Sequence, residues 1–382
     1  MTSRQVLIAA QVFDGHQMHA RACVGLDATD RIAEFWLDAA AVPQGIPVQD
    51  LGDVTLAPGM VDLQVNGGAG AMVGAATDVA QLRRICAAHA TLGATAILPT
   101  LITNRSEVTL QVLAAGIAAA RDGVPGFAGL HMEGPHLDPA RKGAHDAQLI
   151  RPMLDADLSD LLRAAQDLPA LMVTLAPEAA TLDQISQLAR AGVIVSLGHS
   201  GCSAEDARRA HDAGARCVTH LFNAMGGMQA RAPGLVGAAL TTGLSAGIIA
   251  DGVHVAPEGL HVALAMKAPE GLFLVSDAMA VAGTNDDAFL LEGRRVIRAK
   301  GRLTLEDGTL AGADVTLPQS VKHLVGLGVL LARALAMATR IPADLIGATD
   351  RGRIRAGARA DLVVLARDLS VASVWRDGIL QA

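Results

Sequence analysis

Glu133, His199, His220 and Asp277 lie far apart in the chain, yet each follows a short apolar run of strand-like composition. They stand in His131-Met132-Glu133-Gly134-Pro135, Leu197-Gly198-His199-Ser200, Thr219-His220-Leu221 and Ser276-Asp277-Ala278. One carboxylate and two imidazoles form a ligand set that suits zinc or a similar divalent ion and leaves a position open for water. A cation so held lowers the pKa of that water to about 7, and a nearby carboxylate could accept its proton and return it to a leaving group. The chemistry to expect is hydrolysis at one metal ion, with Asp277 moving the proton. Read singly, each residue has a plainer alternative. A histidine at a strand end is more often a satisfied polar residue than a ligand, and Glu133 could pair with an arginine. The joint pattern is what favours a site.

Residues so distant converge only if regular elements bring their ends together. Strand-like runs occur at Gly59–Val65, Thr95–Pro99, Gly126–Met132, Leu171–Leu175, Val193–Leu197, Cys217–Leu221, Gly247–Ala250 and Leu272–Val275. Helical periodicity lies between them, at Asp78–Leu92, Glu107–Ala120, Leu158–Ala165, Thr181–Arg190, Ala204–Ala213 and Pro257–Met266, and again at Gln319–Thr339. Eight strands with intervening helices predict an α/β fold of the (β/α)8 TIM type, whose functional groups gather at the C-terminal strand ends. The third, fifth, sixth, seventh and eighth runs each deliver a His, Glu or Asp at that end, the seventh through Asp251-Gly252-Val253-His254. An open doubly wound sheet is the alternative, but Gly67–Gly70 is not the GxGxxG such a fold uses for a dinucleotide. Before and after the barrel, Arg4–Thr55 and Gly352–Leu380 read as two parts of a small β-sandwich domain built from both chain ends. The expected division is residues 1–56, a barrel over 57–350, and 351–382.

Bulk composition narrows the class. The 382 residues are 51% hydrophobic, with 40 glycines, which suits closely packed parallel strands. Leu235–Ala250 and Leu324–Ala338 are interrupted, and neither reaches the ~18–20 apolar residues of a bilayer span. Val6–Ala10 is shorter than the roughly 7–15 residues of a signal-peptide core. Four scattered cysteines without a CxxC pair predict free thiols in a cytoplasmic protein. A net charge of −7 and 2% aromatics disfavour nucleic-acid binding. No membrane partner is expected either.

Beyond the four residues, His131 shares a strand face with Glu133 and could line the site without ligating. His136, past Pro135, could sit on the rim or simply in solvent. Together, Ala57–Asp62 (APGMVD), His131–Pro135 (HMEGP), Lys142–His145 (KGAH), Leu197–Ser200 (LGHS), Thr219–Met225 (THLFNAM), Asp251–His254 (DGVH), Val275–Met279 (VSDAM), Leu310–Gly312 (LAG) and Ala360–Leu365 (ADLVVL) resemble the amidohydrolase superfamily. Within it, HMEGP, KGAH and THLFNAM in this order are similar to the N-acetylglucosamine-6-phosphate deacetylases.

That resemblance implies hydrolysis of N-acetyl-D-glucosamine 6-phosphate to D-glucosamine 6-phosphate and acetate, by a metal-bound water with Asp277 as general base and then acid. It implies one divalent ion per subunit on Glu133, His199 and His220, with zinc first and iron, cobalt or manganese as alternatives. His145 would stabilise the oxyanion. Ala144, Asn223, Ala224, Arg231, His254 and Leu310-Ala311-Gly312 would bind the phosphorylated amino sugar, in a homodimer that shares phosphate-site residues across its interface. Read alone, Arg231 could equally be a surface arginine. Where many of the superfamily place His-x-His for a second metal, this chain has Gln64 and Asn66, so that position is expected to be vacant. Two rivals remain. One is another amidohydrolase reaction, disfavoured because no strand-end lysine is evident. The other is a non-catalytic barrel, disfavoured because no ligand is lost.

Overall fold

A computed structural model describes residues 3–381; residues 1, 2 and 382, which the expected end segments include, lie outside the described residues. Eight strands form one sheet in chain order: Met60–Val65, Ala94–Ile102, Leu130–Glu133, Leu171–Leu175, Ile194–Leu197, Cys217–Val218, Ser245–Ile248 and Leu272–Leu274. Every ladder from the second strand to the eighth is parallel. The sheet closes through a parallel bridge of Val65 with Ala278, beside which the Asn66 amide donates to the Ala278 carbonyl at 2.8 Å. Leu171–Leu175 and its neighbours are buried on both faces, so their apolar runs do not alternate.

Helices follow the strands as the periodicity predicts. Leu182–Arg190 is typical: Ile185 and Leu188 face inward, and Thr181 and Gln184 satisfy each other's backbone amides in a capping box. Several boundaries differ from expectation. Gln319–Thr339 is two helices, Leu317–Gly326 and Leu331–Ala338, because Gly328 takes a left-handed φ of +88° and ends the first. Leu235–Ala250 divides into the helix Gly234–Thr241 and the strand Ser245–Ile248. The second barrel strand does not stop at Pro99; Thr100, Leu101 and Ile102 continue the ladder opposite His131, Met132 and Glu133. A proline removes one donor, and the rest of that strand's ladder survives it.

An element the sequence reading did not foresee follows the eighth strand. Ala288–Leu291, Arg294–Ala299, Arg302–Leu305 and Leu310–Ala313 form a four-stranded antiparallel sheet. Two of its turns carry left-handed pairs, Glu292-Gly293 and Lys300-Gly301, as two-residue hairpins require. Its inner face, with Leu291, Val296, Leu303, Leu305 and Ala311, packs with Ile102, Met279 and Val281.

The chain ends build two further sheets. Gln5–Ile8, Cys23–Leu26, Ile32–Trp36 and Val48–Asp50 make one. In the other, Leu362–Leu365 pairs antiparallel with Thr55–Pro58, so the C-terminal segment completes a sheet begun at the N-terminus. Leu7, Val24, Ile32, Leu56, Leu362, Val364 and Trp375 fill a common core. By contacts the chain divides into two compact units. One takes the segments up to Asp62, His89–Ala96 and from Thr316 onward; the other takes Leu63–Ala88 and Ile97–Val315. Among the described residues no helix is long and apolar enough to cross a membrane. All four cysteines are free and buried.

Candidate active site

Strand ends of the second unit deliver the polar residues. Glu133 closes the third strand, His199 and His220 follow the fifth and sixth, and Asp277 follows the eighth. His199, His220 and Asp277 adopt φ of +47°, +29° and +50°. Left-handed backbone costs a non-glycine residue about 1–3 kcal/mol and persists where the surroundings enforce it, commonly at functional sites. Glu133, His199 and His220 are buried, and their atoms converge. Glu133 Oε1 lies 3.0 Å from His220 Nε2 and 3.3 Å from His199 Nε2, and the two Nε2 atoms are 3.1 Å apart. Ligands about 2.0–2.1 Å from a tetrahedral zinc are roughly 3.3 Å from one another. The three donors thus have close to the spacing a small divalent cation needs.

Glu133, His145 and His199 also present ligand-capable atoms within 4.8 Å of one another. Hydrogen bonds distinguish the histidines. His199 Nδ1 lies 2.9 Å from the Arg141 carbonyl, which can only accept, so Nδ1 holds the proton and Nε2 turns a lone pair toward Glu133. His145 is the reverse. Its Nδ1 accepts the Thr103 backbone N–H at 3.3 Å and sits 2.8 Å from the Thr103 hydroxyl, so Nε2 carries the proton. His145 therefore offers a donor, and His199 a lone pair. His220 Nδ1 has no hydrogen-bond partner among the described residues, so no neighbour commits its tautomer. The His199 lone pair, the His220 imidazole and the Glu133 carboxylate together form a donor set that fits a divalent cation.

Electrostatics separate the two carboxyl groups. Burial opposes ionisation of Glu133, but its contacts with His199 and His220 outweigh it and hold the carboxyl well below the usual range. Burial, reinforced by the Glu133 charge, pushes Asp277 up to about 6. Paired carboxyls whose environments drive them apart divide into an anion and a proton carrier. Gln64 Nε2 donates to Glu133 Oε1 at 3.0 Å and to Asp277 Oδ1 at 3.2 Å, and Asn66 Nδ2 donates to Asp277 Oδ1 at 2.6 Å. The amides thus present N–H groups where imidazoles would present lone pairs. Burial, with His199 second, pushes His145 down to about 3, so it is neutral.

These groups open into a cavity of about 240 Å³. Ala144, His145, Asn223, Ala224, His254, Leu310 and Gly312 line it. His254 Nδ1 lies 2.7 Å from Asp251 Oδ2, and the Asp251 Oδ1 accepts the backbone amides of Val253 and His254. Two residues of the expected binding set are placed elsewhere. Arg231 is exposed on the loop before Gly234–Thr241 and does not line the cavity. The Ala311 side chain turns into the apolar core of the antiparallel sheet. His136, expected on the rim or in solvent, is only 2% exposed and contacts the Arg151 carbonyl through Nδ1 at 3.3 Å. His131 is saturated between the Leu63 carbonyl (3.0 Å) and the Thr174 hydroxyl (2.7 Å), and burial pushes it down to about 4. Sequence reasoning missed Thr103 and Arg141, which set the two tautomers, and Thr309, Leu291 and Met279 in the lining.

The amidohydrolase family model matches residues 55–380. An N-acetylgalactosamine-6-phosphate deacetylase of Shewanella sp. (strain ANA-3) is 40% identical over 85% of this chain and 83% of its own. The crystal structure of N-acetylglucosamine-6-phosphate deacetylase from Pasteurella multocida superposes with a TM-score of 0.94 at 31% identity, covering 99% of each chain. An Asp-to-Ala variant of the Mycobacterium smegmatis N-acetyl-D-glucosamine-6-phosphate deacetylase, solved with N-acetyl-D-glucosamine 6-phosphate, superposes at 0.92 with 34% identity, covering 100% of each.

Proposed function

The chain belongs to the amidohydrolase family, and from that premise we propose that it hydrolyses N-acetyl-D-glucosamine 6-phosphate to D-glucosamine 6-phosphate and acetate. The observation that carries the reading is the pair of opposed histidine tautomers beside two carboxyl groups of divergent acidity. Glu133, His199 and His220 hold one divalent cation, zinc before iron, cobalt or manganese, which when bound supplies Lewis acidity toward water and the amide carbonyl. His145 Nε2–H donates to the acetamide oxygen and strengthens that bond as charge develops there. Asp277 takes the proton of the attacking water and returns it to the 2-amino nitrogen as the C–N bond breaks, so the carboxyl starts and ends each cycle ionised. Its elevated proton affinity suits both halves of that transfer.

Asn223, the Ala224 amide and His254 face the phosphate, and the backbone of Leu310–Gly312, with Ala144 opposite, encloses the sugar. Arg231 reaches the phosphate from the partner subunit of a homodimer, which accounts for its exposure in the single chain. Gln64 and Asn66 brace the carboxylates in place of a second cation. Free buried cysteines agree with a cytoplasmic enzyme of amino-sugar metabolism.

A second reading, the galacto epimer as substrate, is favoured by two relatives named for it, that of Shewanella at 40% identity and that of Escherichia coli O157:H7 at 33%. Acetate release from N-acetylglucosamine 6-phosphate, N-acetylgalactosamine 6-phosphate and unphosphorylated N-acetylglucosamine tests both. Turnover concentrated on the first supports the proposal, and turnover confined to the second would replace it. Equal rates with and without phosphate would remove the phosphate pocket. Metal analysis of the active enzyme should find about one ion per chain.

A further inference from the structure

We infer that the tip of the antiparallel sheet, through Arg294 and Glu292, positions His145 for the reaction. The inference rests on the reading that His145 Nε2–H meets the scissile carbonyl. His145 is approached from two loops. Thr103, at the end of the second barrel strand, holds its Nδ1, while Ala144 precedes it in the loop after the third. The hairpin tip ties down both. Arg294 Nη2 donates to the Ala144 carbonyl at 2.5 Å, and Glu292 Oε1 accepts from Asn104 Nδ2 at 2.6 Å, one residue beyond Thr103. The left-handed pair Glu292-Gly293 turns the chain tightly enough to send these two side chains to different loops. Leu291, next to Glu292, is buried and lines the cavity, and Ala144 packs partly buried against the same apolar cluster. The sheet that covers the sugar therefore also fixes the residue that polarises the amide.

Charge-assisted hydrogen bonds to a backbone carbonyl restrain direction as well as distance. Arg294 is thus a positioning residue whose effect should pass entirely through His145. Steady-state kinetics of the metal-loaded enzyme on N-acetylglucosamine 6-phosphate test this in a double-mutant cycle. His145→Gln should lower kcat by about 10²-fold or more. Arg294→Met should lower kcat by about tenfold, with KM and metal content nearly unchanged, and Arg294→Lys should recover most of it. On the His145→Gln background Arg294→Met should cost nothing further, because the residue it positions is gone. The same tenfold loss on that background would overturn the inference, as would a harmless Arg294→Met in the wild type. A harmless His145→Gln would instead remove the reading of His145 beneath it. Should Arg294→Met not fold, Glu292→Met, which removes the acceptor for Asn104, runs through the same cycle, with a smaller loss expected and the same two results overturning the inference.

Discussion

His145 and His199 have ring centroids 4.4 Å apart, yet one offers a proton and the other a lone pair. The difference comes from the second nitrogen of each ring, which meets an amide N–H in one case and a carbonyl in the other. The convergence of Glu133, His199, His220 and Asp277 was legible because a strand-end position and a side-chain type are both visible in the sequence. The partners that choose the tautomers were not. Arg141 acts through its backbone carbonyl, which leaves no side-chain signal, and Thr103 lies beyond Pro99, where the strand-like run in the sequence stops. In the proposed reaction Asp277→Asn keeps the three metal ligands but cannot take a proton, so kcat should fall by orders of magnitude. Metal analysis of the same sample should still find one ion, and retained activity would reject Asp277 as the shuttle. The pH dependence follows from the same carboxyl. Asp277 must be ionised to accept a proton, so kcat/KM should fall as pH drops through the region of about 6. The Asn66 hydrogen bond favours the charged form. Asn66→Leu should therefore raise the carboxyl's pKa and move the acid limb to higher pH. A pH–rate profile showing the opposite displacement would contradict the assignment.

At the scale of elements, barrel strands and most helices were readable from alternating apolar runs and helical periods, and the covering sheet was not. Of its turn pairs only Asp307-Gly308 is an ordinary hairpin signal; Glu292-Gly293 and Lys300-Gly301 place first a residue that seldom takes a left-handed φ. Eight strands already complete a barrel without this sheet, and the family resemblance marks only Leu310–Gly312 within it. The last strand of this sheet holds the site in shape. Ala313 N–H donates to the Asp277 carbonyl at 3.0 Å, and Gly312 has φ +66°. A Cβ added at Gly312 would lie 2.4 Å from Met279 Cγ and 2.8 Å from the Asp277 carbonyl oxygen. Methionine could yield, but the backbone beside Asp277 could not without moving the carboxyl. Gly312→Ala should thus lower kcat/KM by at least about tenfold and lower Tm as well, since strain and the left-handed conformation act together. Thr181→Ala provides the contrast. It removes a helix cap remote from the cavity, so denaturant unfolding should register about 1 kcal/mol of destabilisation with kcat/KM unchanged.

Over the whole molecule, charge poses a problem that a single chain does not solve. The net charge is −7, and the substrate proposed is a phosphate ester of like sign. Among the described residues lining the cavity there is no lysine or arginine, and His254 is already engaged with Asp251. Arg231 is exposed on its own chain. A twofold arrangement would let each copy lend that arginine to the other's cavity, since an isologous contact places equivalent residues on both sides. Arg231→Met should then raise KM for the phosphorylated sugar while leaving the slow hydrolysis of the unphosphorylated one untouched. Mixing decides where the arginine acts. An Arg231→Met homodimer lacks the cation at both sites, and an Asp277→Asn homodimer lacks the shuttle at both. After unfolding and refolding together, half the dimers should be mixed, and one site in each mixed dimer would combine Asp277 of one chain with Arg231 of the other. About a quarter of wild-type activity should return at low substrate concentration if the arginine crosses the interface. If Arg231 serves its own chain, every chain in the mixture remains defective, and no activity beyond the sum of the two parents should appear.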